Sequence, residues 1–227
     1  MLKKLIIVFL SIFICQFAHA AGVSLGATRV IYPINANQVT LKVYNSDNEG
    51  NYLIQSWITD SADKKNGDFI ITPPLFVMKA GLNNMLRVVY TGNRENLAKD
   101  KESLFYFNSK VIPSTAELAK NQNALMISTT TKIKLFMRPN GLTIEDALEA
   151  HKKLKCSYQN NQIKIENPTP FYLNLVSLRV NNHDVSNAAM IPPMDSVLLK
   201  TSIKGPSLLF NVINDYGAQI KDNICTL

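Results

Sequence analysis

Apolar and polar positions alternate along most of this chain, in short runs closed by turn residues. The stretch "VSLGATRVIYP" alternates and stops at Pro33. "QVTLKVYNSDNEG" alternates and ends in a turn cluster, and "YLIQSWITDS" follows it, with Trp57 expected in the core. "GDFIITPPLFVM" carries Pro73 and Pro74, which suit a sheet edge or a bend rather than a central strand. "NMLRVVYTGN" and "SLFYFNSKVIP" come next, and "ALMISTTTKIKLFMRP", residues 124–139, reads as one long strand. Strand signals that recur about every ten residues, with no helical period between them, predict a β-sandwich.

The pattern breaks once, at "NGLTIEDALEAHKKL". Asn140-Gly141 is a turn signal, and Thr143 with Asp146 three residues on can cap a short helix. The connection between two domains is placed here. Strands then resume in "KCSYQNNQIKIENP", "FYLNLVSLRVNN", "AAMIPPMDSVLLKT", "SLLFNVINDYG" and "AQIKDNICTL", which predict a second, smaller sandwich. The expected fold is all-β, with domains at 21–140 and 141–227.

The strand at 124–139 poses a problem of its own. Leu125, Ile127, Thr129, Thr131, Ile133 and Leu135 share one face by strand periodicity, whereas Lys132, Lys134 and Arg138 fall on the other. One strand therefore offers an apolar row and a row of fixed positive charge. If Lys134 is to act beside the odd-numbered row, a bulge, a twist or the reach of its long side chain has to reconcile the two faces.

The start of the chain sets the compartment. Lys3 and Lys4 precede an apolar run over residues 5–14, and Ala18, His19 and Ala20 form a small-x-small cleavage site. Residues 1–20 are read as a secretory signal peptide, too short in its apolar part to span a bilayer. Cleavage lowers the formal net charge from +7 to about +5. No basic cluster interleaved with aromatics points to nucleic acid, and no later segment is apolar enough for membrane insertion. Cys15 leaves with the signal, so Cys156 and Cys225 remain, and in an exported chain such a pair is expected to bond. The loop so closed would constrain the unfolded chain by about 4 kcal/mol. His151 and His183 are expected at the surface, and with no third thiol the chain offers no metal-ligand set.

No G-x-S-x-G, H-E-x-x-H or phosphate-cradling glycine loop occurs, so neither a hydrolase nor a nucleotide-driven machine has its parts. No cofactor is expected.

"LAKDKESLFYFNSKVIP", residues 97–113, resembles the signature of the periplasmic pilus-assembly chaperones of the chaperone–usher pathway, with Ser109 where an aliphatic residue is usual. "TKIKLFMRP", "ENPTPFY" and "INDYG" are similar to further segments of that family in the same order, and "TPPLFVMKAG" resembles its Thr-Pro-Pro strand with Ala80 in place of a proline. The resemblance implies two immunoglobulin-like domains in an L-shaped arrangement with a cleft between them.

It also implies roles. The partners would be pilus subunits, which are sandwiches lacking their last strand, and an outer-membrane usher that receives them. Leu125, Ile127 and Thr129 match the residues the family donates to the open groove of a subunit. Arg29 and Lys134 match the cleft pair that binds the subunit's C-terminal carboxylate. Glu102, Arg138 and Asp215 match an interdomain salt-bridge cluster. The short stretch "PSTAELAKNQN" without flanking cysteines is similar to the short-loop branch, which builds rod-like or fibrillar pili. Self-association of the free protein through the donor edge stays open. Two other readings stay on the table: a pilin-like or adhesin module of the cell surface, and a periplasmic hydrolase on an immunoglobulin scaffold.

Overall fold

The structure, a computed structural model, describes residues 22–114 and 126–227. The signal-peptide reading of residues 1–20, the loop before the long strand and Leu125 lie outside the described residues.

The first sandwich contains β1 (Val23–Leu25), β2 (Arg29–Pro33), β3 (Val39–Asn45), β4 (Tyr52–Thr59), β5 (Phe69–Thr72), β6 (Leu75–Met78), β7 (Asn83–Tyr90), β8 (Ser103–Pro113) and β9 (Thr129–Arg138). One sheet has the order β1-β3-β7-β5, the other β2-β9-β8-β4-β6. Alternation decides which faces meet. Leu41 and Val43 of β3, Leu86 and Val88 of β7, and Ile54 and Ile58 of β4 all point into one core. Burying each such side chain is worth about 1.5–3 kcal/mol.

Two expected strands are each split. "VSLGATRVIYP" becomes β1 and β2, which lie in different sheets. The switch occurs at Gly26, where an added Cβ would stand 2.9 Å from the Tyr44 ring. The core-facing positions change parity across the switch, from Val23, Leu25 and Ala27 to Val30 and Tyr32, and the only sign of it in the sequence is the polar pair Thr28-Arg29. "GDFIITPPLFVM" becomes β5 and β6, separated by the cis Thr72–Pro73 peptide and Pro74. Both strands lie at sheet edges, as the prolines suggested.

Trp57 is not a core residue. Ile54, Ser56 and Ile58 take the inner face of β4, so Trp57 falls on the outer face and is only half-buried.

The second sandwich opens with a short helix, α1 (Ile144–Glu149). Thr143 caps it, its Oγ1 accepting from the Asp146 N–H at 3.1 Å. The strands β10 (Lys155–Gln159), β11 (Gln162–Asn167), β12 (Leu173–Val180), β13 (His183–Ile191), β14 (Asp195–Lys200), β15 (Ser207–Ile213) and β16 (Gln219–Thr226) form sheets of order β10-β11-β14 and β13-β12-β15-β16. Asn160 and Asn161, both at positive φ (47° and 59°), make the tight turn between β10 and β11. Cys156 and Cys225 form a disulfide with Cα atoms 5.8 Å apart, which ties the first strand of this sandwich to its last.

His151 departs from expectation. It is 6% exposed, in a 3-10 turn that continues α1, because that turn folds Ala150 down onto the second core. His183 is exposed as expected.

Candidate functional site

The site lies along β9 and where β9 meets the second sandwich. On one side β9 pairs with β8 without interruption, from Thr129 opposite Val111 to Met137 opposite Ser103. On the other side it pairs with β2, in parallel, but only from Lys134 (beside Arg29) to Arg138 (beside Pro33). Among the described residues, nothing pairs with the second side of β9 over residues 129–133. That half-strand presents an open row of backbone donors and acceptors, which is the template another strand can use.

Strict alternation holds throughout β9, since the ladder with β8 has no bulge. Ile133 and Leu135 enter the first core, and Thr129 and Thr131 continue the same face into solvent. The expected long strand at 124–139 is therefore shorter: the pairing begins at Thr129, and Ile127 lies ahead of it, 65% exposed. Lys132, Lys134, Phe136 and Arg138 occupy the opposite face. No bulge brings Lys134 round to the odd-numbered row; the two rows stay on opposite faces.

The four cations near this strand separate by their partners. Lys132 donates to Asp63 Oδ1 at 2.7 Å and sits 4.4 Å from the Tyr106 ring centroid. Arg138 is buried with two carboxylates. Its Nε and Nη2 donate to Glu102 Oε1 at 2.8 and 2.7 Å, and its Nη1 donates to Asp215 Oδ2 at 2.7 Å. Burial opposes the Arg138 charge, yet the bonds to Asp215 and Glu102 outweigh it and its pKa is raised. Glu102 stands one residue before β8 rather than within it, and its Oε2 accepts the Tyr172 N–H at 2.8 Å. Phe136 stacks on Tyr172 at 5.3 Å beside this network. Glu102, Arg138 and Asp215 thus come together across the two sandwiches.

Arg29 and Lys134 differ from these. They are register partners at the point where β2 begins and the open edge of β9 starts. Among the described residues neither forms an ion pair. Both instead touch neutral groups of the second sandwich. Arg29 Nη1 donates to the Ile213 carbonyl at 3.0 Å, and Lys134 Nζ donates to Asn174 Oδ1 at 2.5 Å. Burial lowers the Arg29 pKa, while Asp215 and Glu102 act the other way. Burial also lowers the Lys134 pKa, helped by the neighbouring Arg29 charge. Arg29 Nε and Asn174 Nδ2 are buried donors without a partner. Two adjacent cations and two spare donors, with no ion-pair partner among the described residues, have the charge and the N–H groups that a carboxylate would need.

Asn174 and Ile213 escaped the sequence reading. The signal for Asn174 was present as a polar residue inside the apolar run "FYLNLVSL". Its neighbours Leu173 and Leu175 face the second core, which turns Asn174 toward the cleft.

Two immunoglobulin-like sandwiches that meet at a basic cleft, one of them with an unpaired strand edge, define the class of two-domain assembly chaperones. The family model "Pili and flagellar-assembly chaperone, PapD N-terminal domain" matches residues 22–143, and "Pili assembly chaperone PapD, C-terminal domain" matches residues 149–224. The chain belongs to this family of pilus-assembly chaperones, a chaperone family and not an enzyme family. It is 42% identical over 220 residues to the probable fimbrial chaperone SfmC of Escherichia coli K12, covering 96% of this chain and 94% of that one. It is 40% identical over 214 residues to the chaperone protein FimC of the same strain, covering 94% and 87%. Among solved structures it is similar to the periplasmic chaperone SfaE, with a TM-score of 0.79 and 38% identity over 91% of this chain and 100% of that one. It is also similar to a structure of the Salmonella enterica SafA pilin in complex with the SafB chaperone, with a TM-score of 0.80 and 29% identity over 92% of this chain and 98% of the matched chain.

Proposed function

We propose that this protein is a periplasmic chaperone that caps pilus subunits by lending them β9 and passes them to an outer-membrane usher. The observation that carries this reading is the edge of β9 at residues 129–133, paired on one side and open on the other.

On this reading the partner strand has one direction. A subunit strand that ends in a carboxylate at Arg29 and Lys134 must run along the open edge from Thr129 toward Lys134. It is then parallel to β9 and collinear with β2. Its backbone pairs with β9, while Ile127 and Thr129, with Leu125 by the same sequence parity, are the side chains offered to the subunit's open core. The carboxylate lies between the cations on the opposite side of the strand. The alternation that separates the two rows thus lets one strand serve two contacts. The anchor also sets register, because a one-residue slip would turn every donated side chain away. Glu102, Arg138 and Asp215 hold the two sandwiches at the angle that keeps the cleft open. Release needs no nucleotide: the N-terminal extension of the next subunit replaces β9 in the groove.

Size-exclusion chromatography of the mature protein with a pilin tests the reading. A soluble 1:1 complex is expected, with amide-exchange protection gained at residues 129–133. A complex in which those amides exchange as fast as in the free protein refutes it. A chain that polymerises by itself instead favours the pilin-like alternative.

A further inference from the structure

Asn174 occupies an unusual place in β12. It is 4% exposed, its Oδ1 holds the Lys134 ammonium, and its Nδ2 has no partner. A buried donor without an acceptor is unfavourable, and native structures rarely keep one without reason. The amide is planar, so Nδ2 stands beside Oδ1 and therefore close to the Lys134 ammonium.

The surrounding ladders make the arrangement regular. Leu175 of β12 lies opposite Val212 of β15. One step along that ladder brings Asn174 level with Ile213, whose carbonyl accepts from Arg29. The register pair Arg29–Lys134 of the first sandwich therefore faces the pair Ile213–Asn174 of the second. Each cation keeps spare donors, since lysine carries three N–H groups and arginine five.

We propose that Asn174 is a third, uncharged arm of the carboxylate site, its Nδ2 donating to the same α-carboxylate that Arg29 and Lys134 bind. This rests on the reading of the cleft as the subunit anchor. A carboxylate offers two oxygens with several lone pairs, enough for all three side chains. The second sandwich then reads the subunit's tail directly rather than only bracing the first. Occupying the site joins the two sandwiches through the ligand.

The test uses the mature chain and one synthetic strand peptide of alternating apolar residues, made with a free C-terminal carboxylate or as the carboxamide. The readout is the ratio of the two affinities. In Asn174→Leu, similar in size but without donor or acceptor, the preference for the carboxylate is expected to fall about tenfold, with carboxamide affinity unchanged. Asn174→Ala removes donor and acceptor without adding charge; it should lose the preference as well, and it serves if Asn174→Leu does not fold. A wild-type ratio in both variants overturns the proposal, and so does an equal loss for both peptides, which marks a structural role. Arg29→Ala separates the two levels. If it abolishes the preference while the Asn174 variants do not, only the third arm fails. If the wild type shows no preference, or Arg29→Ala retains it, the anchor fails with it.

Discussion

The guanidinium of Arg138, at the end of a strand in the first sandwich, donates to Asp215 of the second at 2.7 Å, and the same group is doubly bonded to Glu102. Arg138 and Glu102 are both almost wholly buried. Buried pairs of this kind often contribute little net stability, but losing one member leaves a bare charge. Arg138→Met should therefore destabilise the protein by about 3–5 kcal/mol, measured by urea unfolding. The effect has a pH signature. Burial already raises the Glu102 pKa, with Arg138 opposing it. Without Arg138 it rises further, so the folded state holds a proton that the unfolded state releases. Stability of the variant should be highest at acidic pH and fall as pH climbs from the ordinary glutamate range through the raised value. A variant whose stability instead improves over that range contradicts this account.

Ile127 should separate binding from folding. It is largely exposed and lies outside the ladder, so Ile127→Ser is expected to leave the melting temperature unchanged. If its side chain fills a subunit pocket, the loss is that of burying an isoleucine, about 1.5–3 kcal/mol, or about ten- to a hundredfold in affinity for a pilin. Thr129→Val should act in the opposite direction, because it puts a methyl of the same size in place of a hydroxyl that an apolar groove would have to desolvate. Isothermal titration with the same pilin measures both. Unchanged affinity in Ile127→Ser would remove this residue from the donated set.

The sequence carried the fold class plainly, because alternation and turn residues report a half-buried strand directly. It did not carry sheet membership: β1 and β2 read as one strand because the change of parity between Ala27 and Val30 is a one-residue irregularity, which a bulge within a single strand would also give. It placed Trp57 inside by size alone, although parity on β4 assigns it to the outer face. The cations of the cleft were legible only through resemblance, because a lone arginine or lysine on a strand looks like any solvated charge. What sets Arg29 and Lys134 apart is that they are withdrawn from solvent side by side with no ion-pair partner among the described residues, a three-dimensional fact. Asn174 faces them from a strand 40 residues away, and no local pattern links the two.

Ser109 offers a stability test of the family departure. Ser109 and its cross-strand neighbour Ser56 both face the first core, and each hydroxyl is buried without a hydrogen-bond partner. An aliphatic side chain there removes one buried polar group and adds apolar contact. Ser109→Val should raise stability by about 1 kcal/mol, read as a shift of the urea midpoint with the slope unchanged. Lower stability would mean that the site has no room for the added methyl group.

The disulfide should act on the second sandwich. Cys225 is buried in that core and Cys156 packs against it, 69 residues earlier in the chain. Replacing both by serine removes a constraint on the unfolded chain and places two hydroxyls at apolar positions, at a cost of about 2–5 kcal/mol. Amide exchange should accelerate in β10 and β16 well before β3 and β7 of the first sandwich. Uniform acceleration across both sandwiches would show that they unfold as one unit.

Binding at the cleft should depend on pH through Lys134. Its pKa is lowered from the usual 10.5 by burial and by the adjacent Arg29. Folding thus makes this lysine easier to deprotonate, and the neutral amine attracts a carboxylate less. A bound carboxylate favours the ammonium, so the complex holds its proton to higher pH than the free protein. Affinity for a carboxylate-ended strand peptide should therefore be steady near neutrality and fall as pH rises through the lowered pKa, below the range where an exposed lysine titrates. The carboxamide peptide should show no such decline. Lys134→Arg should flatten the profile, because arginine stays charged throughout. A decline of equal size in Lys134→Arg would assign the titration to another group and remove Lys134 from the anchor.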